Sequence, residues 1–118
     1  MTPTARSLKY LRSIGYTVCT VERWIPQTKQ RLDAFGFGDL LACRWEADGR
    51  IMLVQVTTVA HQSQRLVKIL ETEAAKIWLR AGGLIQVHGW SKKGGRGERK
   101  TWQVSVREIT LEDFPCQK

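Results

Sequence analysis

The sequence predicts an α/β fold built on a mixed central sheet, with elements in the order α-β-β-β-α-β-β. Three observations carry this. An apolar stripe at spacings of three and four runs from His61 to Ala81, the period of an amphipathic helix. Apolar, alternating stretches flank it at 39–57 and 84–106, as strands do. Strand, long helix, strand is a crossover, so the strands at 51–57 and 84–90 are expected to be parallel neighbours. At 118 residues the chain is expected to form a single domain with one core.

The first helix begins at Thr2-Pro3, a capping residue followed by proline at the first helical position. Leu8, Leu11 and Ile14 recur near helical spacing, Gly15 is a stop, and the helix carries Arg6, Lys9 and Arg12 but no acidic residue. Tyr16 to Glu22 alternates as a strand, and 26–30 reads as a polar, exposed connection. A hairpin follows, Asp39 to Cys43 against Ile51 to Thr57, turning at Asp48-Gly49. A turn centred on Asp48 pairs Cys43 with Leu53, Leu41 with Gln55 and Asp39 with Thr57. Side chains alternate across a strand, so Asp39, Gln55 and Thr57 would share one end of one face.

After the long helix, Gly82-Gly83 stops it and Leu84 to Trp90 forms the next strand. Ser91 to Lys100 holds Lys92, Lys93, Arg96, Arg99 and Lys100 among glycines and reads as a mobile hairpin tip. Trp102, Val104 and Val106 alternate in the last strand, and Thr110 with Asp113 forms a capping box for a terminal turn.

Composition narrows the function. Hydrophobic residues make up 42% and charged residues 25% of the chain, the balance of a soluble globular protein. No apolar run reaches the roughly 18 residues of a membrane span, and no signal-peptide core is visible, so a cytoplasmic protein without a membrane partner is expected. Cys19, Cys43 and Cys116 lack metal-ligand spacing; the first two fall in strands, where a free thiol fills core. His61 and His88 lack zinc spacing too. His61, just past the strand carrying Gln55 and Thr57, sits where it could approach the polar cluster. The formal net charge of +8 points to a polyanion, with nucleic acid the first expectation. The basic tip would follow phosphates. Trp90 and Trp102 flank it, either as sheet packing or as a stacking platform for an unpaired base.

Asp39 is the candidate centre of chemistry, a carboxylate at a strand start behind Gly36-Phe37-Gly38. A hard cation such as Mg²⁺ takes oxygen ligands, usually one or two carboxylates plus substrate phosphate. Asp33 and Glu22 are the additional carboxylates; each alone reads equally as a turn cap or a solvated acid.

The helix, the strand, the Gly36-Phe37-Gly38-Asp39-Leu40-Leu41-Ala42 strand start, the turn and the second apolar strand together resemble the PD-(D/E)XK nuclease superfamily. The closest flavour is the small archaeal and phage Holliday-junction resolvases. The resemblance covers roughly residues 3 to 106. It implies a restriction-endonuclease-like sheet, a homodimer, and metal-dependent hydrolysis of branched or structured DNA with Mg²⁺ or Mn²⁺. In that family an acid opens the second strand and a Glu-x-Lys pair lies on the third. Asp39 falls at the first position, and Gln55 and Thr57 at the other two. The resemblance thus implies Asp39, Gln55 and Asp33 as metal ligands, Asp39, Gln55, Thr57, Asp33 and Glu22 as the catalytic set, and Arg65 or Lys68 as a replacement for the missing lysine. The departures are a neutral Gln55, an uncharged Thr57 and a first helix without an acid. They leave a non-cleaving nucleic-acid-binding module, or a protein-interaction module on the same fold, as the alternative expectation.

Overall fold

The computed structural model describes residues 1–45 and 49–115. Among them, a five-stranded mixed sheet carries three α-helices, with a separate two-stranded hairpin at one end. Helix α1 (Pro3–Ser13) starts as its sequence dictates: Thr2 Oγ1 accepts the Ala5 N–H at 3.1 Å, and proline follows the cap. Strands β1 (Thr17–Thr20), β4 (Leu40–Cys43), β5 (Met52–Thr58), β6 (Leu84–Lys93) and β7 (Thr101–Ile109) form the sheet in the order β1-β4-β5-β6-β7. Strands β2 (Arg23–Ile25) and β3 (Gln30–Leu32) pair only with each other.

The crossover is present. β5 and β6 run parallel, joined by helices α2 (Val59–Leu70) and α3 (Glu73–Arg80). The single helix expected over 61–81 is two. Thr72 turns its hydroxyl onto the Lys68 carbonyl at 2.8 Å and adopts extended backbone ahead of α3, the competition with the helix that Thr and Ser offer. The break re-phases the apolar stripe, so Ile77, expected inside, is 58% exposed while Ala75 and Leu79 are buried.

Each face of the sheet buries its own core. α1 covers Leu11, Val18, Leu40, Ala42, Met52, Val54, Val56 and Trp90 on one side. α2 and α3 cover Phe37, Leu53, Ile69, Ala75, Leu79, Ile85, Val87 and Ile109 on the other. Cys19 and Cys43, expected in the core, are exposed. The thiols lie on the edge strand β1 and at the end of its neighbour β4, while α2 and α3 sit chiefly over β5 and β6, so that face of β1 and β4 is left exposed. Cys116 lies outside the described residues.

The hairpin register differs from expectation by two residues. Leu41 pairs with Leu53 and Ala42 with Met52, so Asp39 lies opposite Gln55 and not opposite Thr57. The connection at 44–51 is wider than a two-residue turn, and the expected Asp48-Gly49 turn falls partly outside the described residues. An even shift keeps every side chain on its face, so the expected association of Asp39 with Gln55 survives and tightens. At the other end, β6 extends through Lys93, placing Lys92 and Lys93 on a strand paired with β7. The tip beyond is closed by a turn in which the Glu98 N–H donates to the Gly95 carbonyl at 2.9 Å. The terminal turn is capped as expected, the Asp113 carboxylate accepting the Thr110 N–H at 2.8 Å.

Candidate functional site

The stretch expected to be a connection is the device that builds the site. β2 and β3 pair Arg23 with Leu32, so Glu22 and Asp33 are the next opposed positions, at the foot of the arm. Immediately after Asp33 the chain folds into a tight loop closed by an Ala34↔Gly38 bridge, with reciprocal N–H···O contacts of 2.8 Å. Asp33 is thereby opposed to Asp39 as well. Phe35 and Gly36 take positive φ in this loop, and Phe37 plugs the core beneath. A Cβ on Gly38 would lie 2.8 Å from Leu53 Cδ2, which explains a glycine directly before Asp39. The backbone N–H of Val21 donates to the Asp39 carbonyl at 2.9 Å and ties the end of β1 to the same point.

Glu22, Asp33 and Asp39 thus converge, each offering an oxygen within 4.8 Å of the others. They line an open cleft of about 380 Å³ together with Thr4, Arg31, Gln55, Val56, Arg65 and Lys68. Asp39 is buried. Its Oδ2 accepts the Gln55 Nε2–H at 2.8 Å and the Val56 N–H at 2.7 Å. Burial pushes its pKa from the ordinary 3.8 to about 8. The Val56 N–H opposes that rise, while a hydrogen bond to Asp33 and the negative charges of Asp33 and Glu22 reinforce it. Arg31 Nη1 lies 3.8 Å from Glu22 Oε1, an exposed pairing of little energetic weight.

No protein-family model, curated protein or solved structure matches the chain.

Of the expected residues, Asp39, Gln55, Asp33, Glu22, Arg65 and Lys68 meet in one cleft; Thr57 does not line it. Gln55 turns its amide N–H to Asp39, making it a positioning group for that carboxyl. His61 is exposed on α2 and outside the cleft lining. Lys93, Arg96, Arg99 and Lys100 are exposed along the β6–β7 hairpin and its tip, away from the acids. Lys92 lies with its Nζ 5.4 Å from the centre of the Trp102 ring. Trp90 is sheet packing: it is buried, and its indole N–H donates to Ser7 Oγ at 2.8 Å. Sequence reading missed Arg31 and Thr4 in the cleft. The hairpin carrying Arg31 has no Asn-Gly or Asp-Gly to mark it, and its three-residue strands are too short to show a period.

Beside Asp39, the other buried titratable side chain among the described residues is His88, fully enclosed between α1 and the sheet. Trp90 donates to Ser7 Oγ, so the Ser7 hydroxyl proton is free to go to His88 Nδ1 at 2.9 Å, and His88 Nε2–H donates to Gln86 Oε1 at 3.0 Å. A neutral Nε2–H tautomer satisfies every member of this chain. Burial lowers the His88 pKa to about 4, in keeping with a structural role.

Proposed function

We propose that this chain is a nucleic-acid-binding, metal-dependent phosphodiesterase of PD-(D/E)XK type, acting in the cytoplasm as a homodimer on branched or structured DNA. One observation carries the reading: three carboxylates converge in the same cleft as Arg65 and Lys68. Acids alone are common on protein surfaces. Acids ringed by cations suit a ligand that is itself a cation bound to an anion, such as a divalent metal on a phosphate.

The donor set fits a hard cation. Oxygen ligands at about 2.0–2.1 Å from Mg²⁺ stand no more than about 4.2 Å apart, so the 4.8 Å cluster closes on an ion with a small side-chain adjustment. When bound, Mg²⁺ or Mn²⁺ polarises the scissile phosphate and lowers the pKa of an attacking water. Asp39, Asp33 and Glu22 hold the ion, and Gln55 and the Val56 N–H fix the Asp39 carboxyl. Arg65 and Lys68 receive the phosphate from the α2 side, in place of the lysine that the family carries at the position of Thr57. Thr4 of α1 borders the cleft where relatives often carry an acid.

The second reading, a binding module without chemistry, draws on Gln55 and Thr57. Neither brings charge to the positions that carry Glu and Lys in the family.

The test incubates the protein with linear duplex, single strands and a four-way junction in Mg²⁺, Mn²⁺ or chelator, beside Asp39→Ala and Asp33→Asn. Metal-dependent cleavage that falls about 100-fold or more in Asp39→Ala supports the enzyme. Cleavage undiminished in that variant would sink the assignment of the site. Salt-dependent binding without nicking in either metal selects the second reading.

A further inference from the structure

On the far flank of α1 from the acidic cleft lies a second recess, of about 370 Å³, lined by Met1, Arg6, Lys9, Tyr10, Ser13, Trp90 and Trp102. Its lining contains no acidic residue, and neither does α1. Tyr10 and Trp90, in edge contact at 6.4 Å, supply apolar wall. Trp102 is 43% exposed on β7. The Arg6 guanidinium lies 3.7 Å from its ring centre, and Arg6 Nη1 donates to the Met1 carbonyl at 2.6 Å. Lys92, directly opposite Trp102 in the β6–β7 ladder, brings a second cation to the same ring.

We infer that this recess is a subsite for an unpaired nucleic-acid strand, with the Arg6–Trp102 stack as the platform for one base and Arg6, Lys9 and Lys92 as its phosphate contacts. The inference rests on the nucleic-acid-binding half of the proposed function. An aromatic plane rimmed by cations matches the two faces of a nucleotide, a flat base and an anionic backbone. A paired base presents no free face to such a platform, so the recess favours single strands, splayed ends or junction arms over intact duplex. Thr4 lines the acidic cleft and Arg6 this recess. One helix, roughly 10–12 Å across, therefore stands between the two linings, and the recess is a site apart from the carboxylates.

The experiment measures fluorescence anisotropy of labelled oligothymidine and of a duplex of equal length in chelator, over a salt series, for the full chain and four variants. Trp102→Leu should weaken single-strand binding about ten-fold or more, and Trp102→Phe, which keeps an aromatic plane, by no more than about three-fold. Arg6→Gln should reduce the salt slope by about one. Arg80→Gln, on α3 across the sheet, should change affinity least. Wild-type affinity in Trp102→Leu overturns the subsite, as does an equal loss on strand and duplex. Anionic phosphatidylserine vesicles serve as a further arm; tighter binding to these than to the oligonucleotide, lost in Trp102→Leu, reassigns the recess to a membrane and overturns it too. Failure to bind any nucleic acid at low salt overturns the subsite together with the binding half of the proposed function. The effect of Mn²⁺ on the melting temperature, wild type against Asp39→Asn, still judges the carboxylate cleft by itself.

Discussion

Two buried polar side chains set the behaviour of individual residues here, and they solve burial differently. His88 stays neutral and spends both ring nitrogens in hydrogen bonds. Ser7→Ala removes the acceptor for Trp90 and the Nδ1 partner of His88 at once. We expect a loss of about 1–3 kcal/mol in denaturant unfolding, with the sheet intact by circular dichroism. Asp39 has no such settlement. Its carboxyl holds a proton to about pH 8 because burial and two acidic neighbours disfavour the charge. A cation must displace that proton, so Mn²⁺ should raise the melting temperature more at pH 8 than at pH 6. Asp39→Asn should lose this metal response while gaining roughly 2–5 kcal/mol of metal-free stability at pH 8. These two residues were unequally legible. Asp39 stood out by its position after Gly-Phe-Gly at a strand start. Nothing local distinguishes His88 from any polar residue in a strand, because its partners Ser7 and Trp90 reach it through the docking of α1.

Among the elements, the β2–β3 arm matters most to the cleft and least to the core. Its Trp24 is exposed, and its strands lie outside the main sheet. Trp24→Pro sets a proline in the middle of β2, where its fixed φ and its ring disfavour the three-residue ladder. It should abolish Mn²⁺ stabilisation by separating Glu22 from Asp33, while shifting the metal-free melting temperature only slightly. A large fall in that temperature would show the arm to be part of the folding unit. Gly89 makes a contrasting case at the centre of the sheet. A Cβ there would meet the Gln62 amide at 2.8 Å, and that amide donates to the Val87 and Ser105 carbonyls. Gly89→Ala should therefore cost about 1–3 kcal/mol, read by denaturant unfolding. Period and capping revealed α1, the crossover and the last two strands, since each is specified by its own residues. The arm and the α2–α3 break escaped because three-residue strands show too few alternations to count, and because Thr72 interrupts an apolar stripe without interrupting its composition.

For the molecule as a whole, the two titrations oppose one another. Folded His88 has a pKa below that of the unfolded chain, so the stability it confers is full above pH 6.5 and is lost as pH falls toward 4. Folded Asp39 has a pKa above its unfolded value, so stability falls as pH rises from about 4 to about 8. The slopes nearly cancel between pH 4 and 6.5. Stability measured by urea unfolding should be almost flat there and then drop by about 2 kcal/mol on the way to pH 8. Asp39→Asn should invert the profile, flat above 6.5 and falling below. The shape is extended for its length, with a radius of gyration of 15.2 Å against roughly 13.5 Å for a compact chain of this size, as expected from an arm outside the main sheet and a long β6–β7 hairpin. The arm's foot also makes the protein unusually selective about insertions. Asp33 lies between two pairings, one residue past Arg23–Leu32 on the side of Glu22 and one before Ala34–Gly38 on the side of Asp39. Two residues added at the arm's tip, within 26–29, leave both oppositions in register and should be silent in a Mn²⁺ melting assay. A single residue added between Asp33 and Ala34 keeps the first opposition and breaks the second, so a change of one codon should disconnect the carboxylates while every strand of the main sheet still forms.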